Sequence, residues 1–157
     1  MKRLILLLSL FLMSLPLAWT QTTVSSGNPN LDVQVKRAIV SGEDVLVDLI
    51  LTCYSDWDVI RFIHRDRLCF FDDEGDLYHG DVYNGGVYKV LIEIDGVRDT
   101  GHSLLRIAKD NPRKIRFVVK NVNEYATSFT LIRIPYKAND TGDEIFIQIK
   151  NLPITSE

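Results

Sequence analysis

The segment Asp44–Ser55 has the clearest pattern of apolar and polar positions in the chain. Every second residue is apolar, whereas the intervening positions include polar residues. Because successive side chains of a β-strand point to opposite faces, the segment is predicted to be a strand with one apolar face. Such a strand belongs in the centre of an antiparallel sheet that packs on a second layer. Its inward side chains would be Val45, Val47, Leu49, Leu51 and Cys53.

The flanking segments show the same alternation. Residues 31–40 are predicted to form the preceding strand, joined to the central one by the turn Ser41–Glu43. A second hairpin is predicted around the acidic turn Asp72–Asp76, whose Gly75 can take a positive φ. The side chains of the first strand expected to point inward are Leu31, Val33, Val35 and Ile39.

The rest of the chain contains further alternating segments separated by turn signals. Residues 102–111 fit either a helical turn or a strand. In 127–136 the apolar positions change phase after Leu131, which indicates a bulge or a twist. Strands separated by turns about every 8 to 12 residues, with no convincing long helix, predict an all-β antiparallel two-sheet sandwich of about 7 to 9 strands. The additional predicted strands are 77–82, 87–95, 113–122 and 144–150, and the additional turns are 84–86 and 139–143.

The N-terminus has the features of a secretory signal peptide over residues 1–20. A basic start precedes an apolar run over 4–13, and Ala18 and Thr20 suit cleavage before Gln21. The run is shorter than the roughly 20 residues that span a bilayer, so an uncleaved anchor is the less favoured alternative. The mature chain is predicted to be periplasmic or secreted, without stable membrane insertion.

The mature chain is predicted to be one domain. Residues 21–30 are rich in Thr, Ser and Asn and read as a flexible lead-in to a sandwich over 31–154. Removing 1–20 takes away two basic residues and no acidic one, so the net charge changes from −3 to −5. A mildly acidic surface argues against nucleic acid as a partner, because phosphate binding needs a basic field.

Cys53 and Cys69 are the only cysteines. Export would place them where disulfides form, and neighbouring antiparallel strands could bring them together. A disulfide between them is therefore a hypothesis. Its alternative is two small buried hydrophobic residues.

No cluster of residues predicts catalysis, a metal or a cofactor. The acidic residues of 72–81 do not have the alternating spacing of a calcium loop. The three histidines are scattered, and no Gly-x-Ser-x-Gly motif occurs. The predicted protein therefore has no catalytic residues, no bound metal and no cofactor.

Aromatic residues near strand ends are the remaining candidates for ligand binding. Trp57, Tyr78 and Tyr83 could stack on a sugar or contact a partner protein if they are exposed. The alternative is that they close the ends of the sandwich as buried residues.

Four segments carry a resemblance to a family. LVDLILTCYSDWDVIRF, CFFDDEGDLY, PRKIRFVVKNV and IFIQIKNLPI, in this order, resemble the uncharacterised immunoglobulin-like β-sandwich domains exported by Gram-negative bacteria. The resemblance covers about 31–154 and implies a periplasmic or secreted sandwich without known catalytic residues. The first hypothesis is a non-enzymatic binding or interaction module for an unknown protein or glycan. The alternatives are a carbohydrate-binding module that uses aromatics near Trp57 and, less favoured, a hydrolase at the acidic hairpin.

Overall fold

The computed structural model describes residues 21–55, 57–62, 67–80, 89–99, 105–138 and 142–156, with 57–59 described by their backbone alone. These residues form twelve strands and no helix. The strands are β1 (Thr23–Ser25), β2 (Leu31–Ser41), β3 (Asp44–Cys53), β4 (Trp57–Phe62), β5 (Cys69–Asp72), β6 (Leu77–His79), β7 (Val90–Ile94), β8 (Val97–Arg98), β9 (Leu105–Ala108), β10 (Arg113–Val119), β11 (Ser128–Ala138) and β12 (Glu144–Pro153). Within the described ranges, no helix is long and apolar enough to cross a membrane.

The strands form two antiparallel sheets that pack face to face. The five-stranded sheet has the order β2-β3-β10-β7-β8. The seven-stranded sheet has the order β1-β12-β11-β4-β9, and β5 pairs with both β11 and β6. The predicted all-β, antiparallel two-sheet sandwich is therefore confirmed, with twelve described strands where the turn spacing indicated about 7 to 9.

The central strand of the prediction is β3, which lies between β2 and β10. Its inward side chains are almost fully buried, and Val47, Leu51 and Cys53 have no exposed surface. They pack against the inner face of the other sheet, where Phe117 of β10 meets Phe62 and Phe70 with ring centroids 6.3 Å and 5.7 Å apart. Burial of each such side chain contributes about 1.5 to 3 kcal/mol to folding. The sequence pattern therefore identified the core correctly along this strand.

A β-bulge in β2 changes which side chains face the core. The register with β3 shifts between Val35 and Arg37, so that Lys36 is an extra residue on this strand. Beyond the bulge Ala38 is buried and Ile39 faces outward, half-buried. The prediction that Ile39 points inward with Val35 is therefore wrong, because strict alternation does not hold across a bulge.

β11 pairs with two different strands along one edge. Its first half pairs with β5 and its second half with β4. The register with β5 shifts between Phe129 and Leu131, where the sequence predicted a bulge or twist. Phe129 and Ile132 are both fully buried, so the inward phase changes at this point as expected.

Two segments adopt a strand that the sequence did not assign. Residues 105–108, left open between helix and strand, form β9 beside β4. Residues 23–25, predicted to be part of a flexible lead-in, form β1 beside β12. Main-chain pairing needs no apolar side chain, and Tyr136 Oη also donates to Ser26 O at 2.8 Å. The lead-in prediction is wrong for these three residues.

Candidate functional site

Asp72 organises the acidic hairpin between β5 and β6. The Asp72 side chain is buried, and its Oδ1 accepts hydrogen bonds from the N–H groups of Glu74 at 3.1 Å and Asp76 at 2.8 Å. Gly75 at the tip has φ +92°, as predicted for this turn. The carboxylate of Asp72 therefore closes the turn.

Tyr78 is part of the same structural network. Its Oη donates to Asp72 Oδ2 at 2.8 Å and accepts from Asn123 N at 2.9 Å. The side chain is 2% exposed, and burial together with the nearby carboxylates of Asp72 and Asp76 raises the pKa of Tyr78 to about 12. Tyr78 is thus unavailable to a ligand at the surface, which corrects its assignment as a binding residue.

The other two aromatic candidates remain predictions. The backbone of Trp57 begins β4, opposite Ala108 of β9. Tyr83 lies outside the described residues, as do residues 1–20, the predicted turn 84–86 and the first three residues of the predicted turn 139–143. Of the three aromatic candidates, only Tyr78 has a side chain among the described residues.

Asp73, the second acidic residue of the hairpin, connects the turn to the start of β11 through hydrogen bonds. Asp73 Oδ1 accepts from Thr127 N at 2.9 Å and Ser128 N at 3.1 Å, and Thr127 Oγ1 donates to Asp73 Oδ2. Partial desolvation opposes ionisation, but these donors outweigh it and lower the pKa of Asp73. Within the described part of the chain, no group of His, Cys, Asp and Glu residues could hold a metal.

The structure does not support the hypothesised disulfide. Cys53 ends β3 in the five-stranded sheet, and Cys69 begins β5 in the seven-stranded sheet. The expectation that they lie on neighbouring strands is wrong, and both are buried thiols. Cys53 Sγ instead lies 3.0 Å from Ser55 Oγ.

The outward side chains of the five-stranded sheet, hereafter the outer face, include a row of alternating charges. We call this row the charge ladder, because its members oppose one another in register from one edge strand to the other. Opposite charges on directly paired strand positions attract and help to fix the register. The members are Arg37 of β2, Asp48 of β3, Arg116 of β10, Glu93 of β7 and Arg98 of β8.

Asp48 is the best-connected member of the charge ladder. Arg116 donates from Nε to Asp48 Oδ1 at 2.6 Å and from Nη2 to Oδ2 at 3.0 Å, while Arg37 Nε donates to Oδ2 at 2.8 Å. The hydrogen bond from Arg116 is the main reason that the pKa of Asp48 is lowered, against desolvation and with help from Arg37. Its carboxylate is therefore held as an anion between two guanidinium groups.

A groove with a volume of about 720 Å³ runs along the outer face beside the charge ladder. This volume lies within the range of about 300 to 1,000 Å³ that is typical of ligand sites. The bulge in β2 exposes both Lys36 and Arg37 at this groove, although they are consecutive in sequence. The groove is lined by, among others, Lys36, Arg37, Asp48, Ile50, Lys114 and Arg116.

An apolar row lies on the other side of the charge ladder. Its members are paired in register across four strands of the sheet. Val118 belongs to this row and is 9% exposed, although it points away from the main core cluster. The outer face therefore combines an apolar strip with a charged one. The members of the apolar row are Ile39, Leu46, Val118 and Leu91.

A smaller cavity of about 300 Å³ lies at one end of the sandwich. Val45, Val122 and Ile154 form apolar parts of its wall, and Glu43 and Glu124 add carboxylates. The groove on the outer face is more than twice as large and has both charge signs, so it is the stronger candidate site.

The sequence could not reveal the charge ladder. The alternation of β10 predicts that Lys114 and Arg116 point outward, but only the strand register places Arg116 opposite Asp48. The two residues are far apart in sequence, and no local signal specifies their pairing.

Comparisons with known proteins give weak structural similarity alone. No family model matches the chain, and no curated protein matches it. Among solved structures, the chain is similar to the CooA pilin subunit from enterotoxigenic Escherichia coli, with 8% sequence identity and a TM-score of 0.40. The match covers 82% of this chain and 98% of the pilin subunit. A TM-score this low does not establish a common fold.

Proposed function

We propose that this chain is an exported, non-enzymatic interaction domain that binds a protein partner through the outer face of its five-stranded sheet. The observation that carries this proposal is the combination of the apolar row and the charge ladder on one face. Protein interfaces commonly have an apolar centre with a polar surround, and arginine is enriched among their residues. The outer face has both properties.

The chemistry of the carboxylates supports a binding role over catalysis. A general acid at neutral pH needs a pKa raised by burial or by a neighbouring anion. The pKa values of Asp48, Asp73 and Asp95 are instead lowered, because hydrogen bonds from Arg116, Thr127 and Arg113 help to outweigh burial, which alone would raise them. These carboxylates stabilise turns and strand pairs.

Site-specific photocross-linking tests the proposal. A benzophenone amino acid would replace Ile50 on the outer face, and in a matched control Gln148 on the outward side of β12; both side chains are half-buried. In the cells that naturally make the protein, we expect a defined protein adduct from position 50 and none from position 148. Equal adducts from both positions, or none from position 50 in folded protein, would contradict the proposal.

Export and the absence of catalysis are tested separately. N-terminal sequencing of protein recovered from the periplasm or the medium is expected to begin at Gln21. Retention of the complete chain in the cytosol would overturn the export part of the proposal. Turnover that survives purification and disappears with a single-residue change would overturn the non-enzymatic part.

A further inference from the structure

We infer that the groove on the outer face binds an acidic segment of the partner chain, with carboxylates placed on either side of an apolar side chain. This inference rests on the proposed function and specifies the partner's chemistry. It rests on two lysines that line the groove but are not members of the charge ladder.

The arginines of the charge ladder already have anionic partners. Arg37 and Arg116 both donate to Asp48, and Arg116 is also in register with Glu93. Asp95, at the same groove, accepts from Arg113 and from the N–H of Lys114. These contacts lie within the sheet. Each carboxylate of the groove therefore either accepts a hydrogen bond from an arginine or lies opposite an arginine in the strand register.

Lys36 and Lys114 differ from the arginines. Both side chains are exposed and line the groove, and within the described ranges neither ammonium donates a hydrogen bond. Lys36 faces outward in alternation with Gln34, and the bulge in β2 places Arg37 beside it on the same face. Lys114 projects outward from β10 opposite Ile50 of β3. The groove therefore presents two exposed ammonium groups that donate no hydrogen bond among the described residues, although the charge of Lys114 also acts on Asp95. In a chain with a net negative charge, these two cations favour an anionic ligand.

The surroundings of the two lysines favour a peptide over other anions. β2 and β10 flank β3, which places their backbones about 10 Å apart, and Ile50 supplies an apolar contact on the strand between them. None of the described lining residues is aromatic, so this part of the chain offers no platform for stacking a sugar or a base. Asp48, Glu93 and Asp95 would also repel a continuous chain of phosphates.

Fluorescence anisotropy with a labelled peptide tests the inference. The probe contains Glu-Leu-Glu flanked by glycine and serine, and control peptides carry Gln or Lys in place of each Glu. The intact mature chain is expected to bind the Glu peptide at least about tenfold more tightly than either control, with an affinity that falls as salt is added. Equal binding of the Glu and Gln peptides, or no binding of the Glu peptide, would overturn the inference.

Charge-reversal variants locate the binding. Lys36→Glu with Lys114→Glu is expected to weaken binding of the Glu peptide about tenfold or more, because it reverses both available cations. The matched control, Lys109→Glu with Lys150→Glu, makes the same change in net charge at exposed residues outside the groove. It is expected to weaken binding less than about threefold. Equal weakening by both double variants would overturn the inference.

Two further readouts keep the outcomes separate. Lys36→Gln with Lys114→Gln removes the charges without adding repulsion, so an intermediate loss of affinity is expected from a variant whose circular dichroism is unchanged. Unaltered affinity in that variant would contradict the inference. If the Glu peptide fails but photocross-links from position 50 persist, the inference is wrong and the proposed function stands. If the photocross-links also fail, the proposed function falls with it.

Discussion

Arg116 holds Asp48 through two hydrogen bonds across β10 and β3, with Nε 2.6 Å from Oδ1 and Nη2 3.0 Å from Oδ2. Arg37 reaches the same carboxylate from β2 with one hydrogen bond at 2.8 Å. A two-point contact between a guanidinium and a carboxylate fixes geometry better than a single hydrogen bond. Asp48 therefore connects three adjacent strands and sets their register on the outer face.

Double-mutant cycles are expected to show unequal coupling at Asp48. Combining Asp48→Ala with Arg116→Ala should give a coupling energy of about 1 kcal/mol, because the pair is only partly exposed to solvent. Combining it with Arg37→Ala should give about half as much, since Arg37 makes one hydrogen bond and is more exposed. Urea unfolding measures both, and a larger coupling for Arg37 would show that the two-point contact is not the stronger one.

Removing the hydroxyl of Tyr78 is expected to destabilise the fold. Tyr78→Phe leaves the buried Asp72 carboxylate without one donor and Asn123 N without its acceptor, at a cost of about 1 to 3 kcal/mol in the free energy of unfolding. Tyr125→Phe is the matched control, because Tyr125 is 71% exposed, and should change stability by less than about 0.5 kcal/mol. Urea unfolding that shows no difference between the two variants would argue against a structural role for Tyr78.

Stability is expected to fall in acid because the pKa values of Asp48, Asp73 and Asp95 are lower in the folded protein than in the unfolded chain. A carboxyl group of this kind stabilises the fold above its unfolded pKa of about 4, and this contribution is lost as the pH falls through the lower folded pKa. The free energy of unfolding contributed by these groups should therefore be level from about pH 7 to pH 5 and decrease below about pH 4.

Urea unfolding at a series of pH values checks this expectation with two variants. Asp48→Asn should make the decrease in acid shallower, because it removes one of the shifted groups. Asp32→Asn is the matched control, because this exposed carboxylate of β2 has no hydrogen-bond partner among the described residues, and it should alter the curve less than Asp48→Asn does. Parallel curves for all three proteins would mean that Asp48 does not contribute to the acid dependence.

Two single-residue deletions in β2 are expected to differ in their effect on folding. Deleting Lys36 removes the extra residue of the bulge, while Val35 and Ala38 keep their inward phase, so the fold should survive with a small loss of stability. Deleting Gln34 shifts the phase of the residues before it and would turn Asp32 inward, which should prevent folding. Circular dichroism and thermal unfolding distinguish the two, and equal damage from both deletions would contradict the assigned bulge.

Period-two patterning predicts the fold where strands are regular and fails where the register changes. The buried residues of β3 follow strict alternation, so the sequence alone identifies them. Strict alternation places Ile39 on the wrong face because the bulge at Lys36 is set by pairing with β3, which no local pattern reveals. The sequence does not predict β1, because β1 pairs with β12 through its main chain and has no alternating pattern of apolar residues.

The candidate site was less predictable than the fold. Tyr78 looked like a ligand-binding aromatic, yet its hydroxyl has a buried partner in Asp72 that lies across the hairpin. The two cysteines looked like a disulfide pair, but the topology assigns them to different sheets. The charge ladder depends on long-range strand order, which alternation within a single strand does not encode.

The most direct test of the outer face as the binding surface is a titration followed by nuclear magnetic resonance. Isotope-labelled mature protein would be titrated with the Glu-Leu-Glu peptide while backbone amide shifts are recorded. We predict that the largest changes cluster at Ile50, Glu93, Lys114 and Arg116, with little change along β12. Changes centred on β11 and β12, or spread evenly over both sheets, would contradict the assignment of the groove as the binding site.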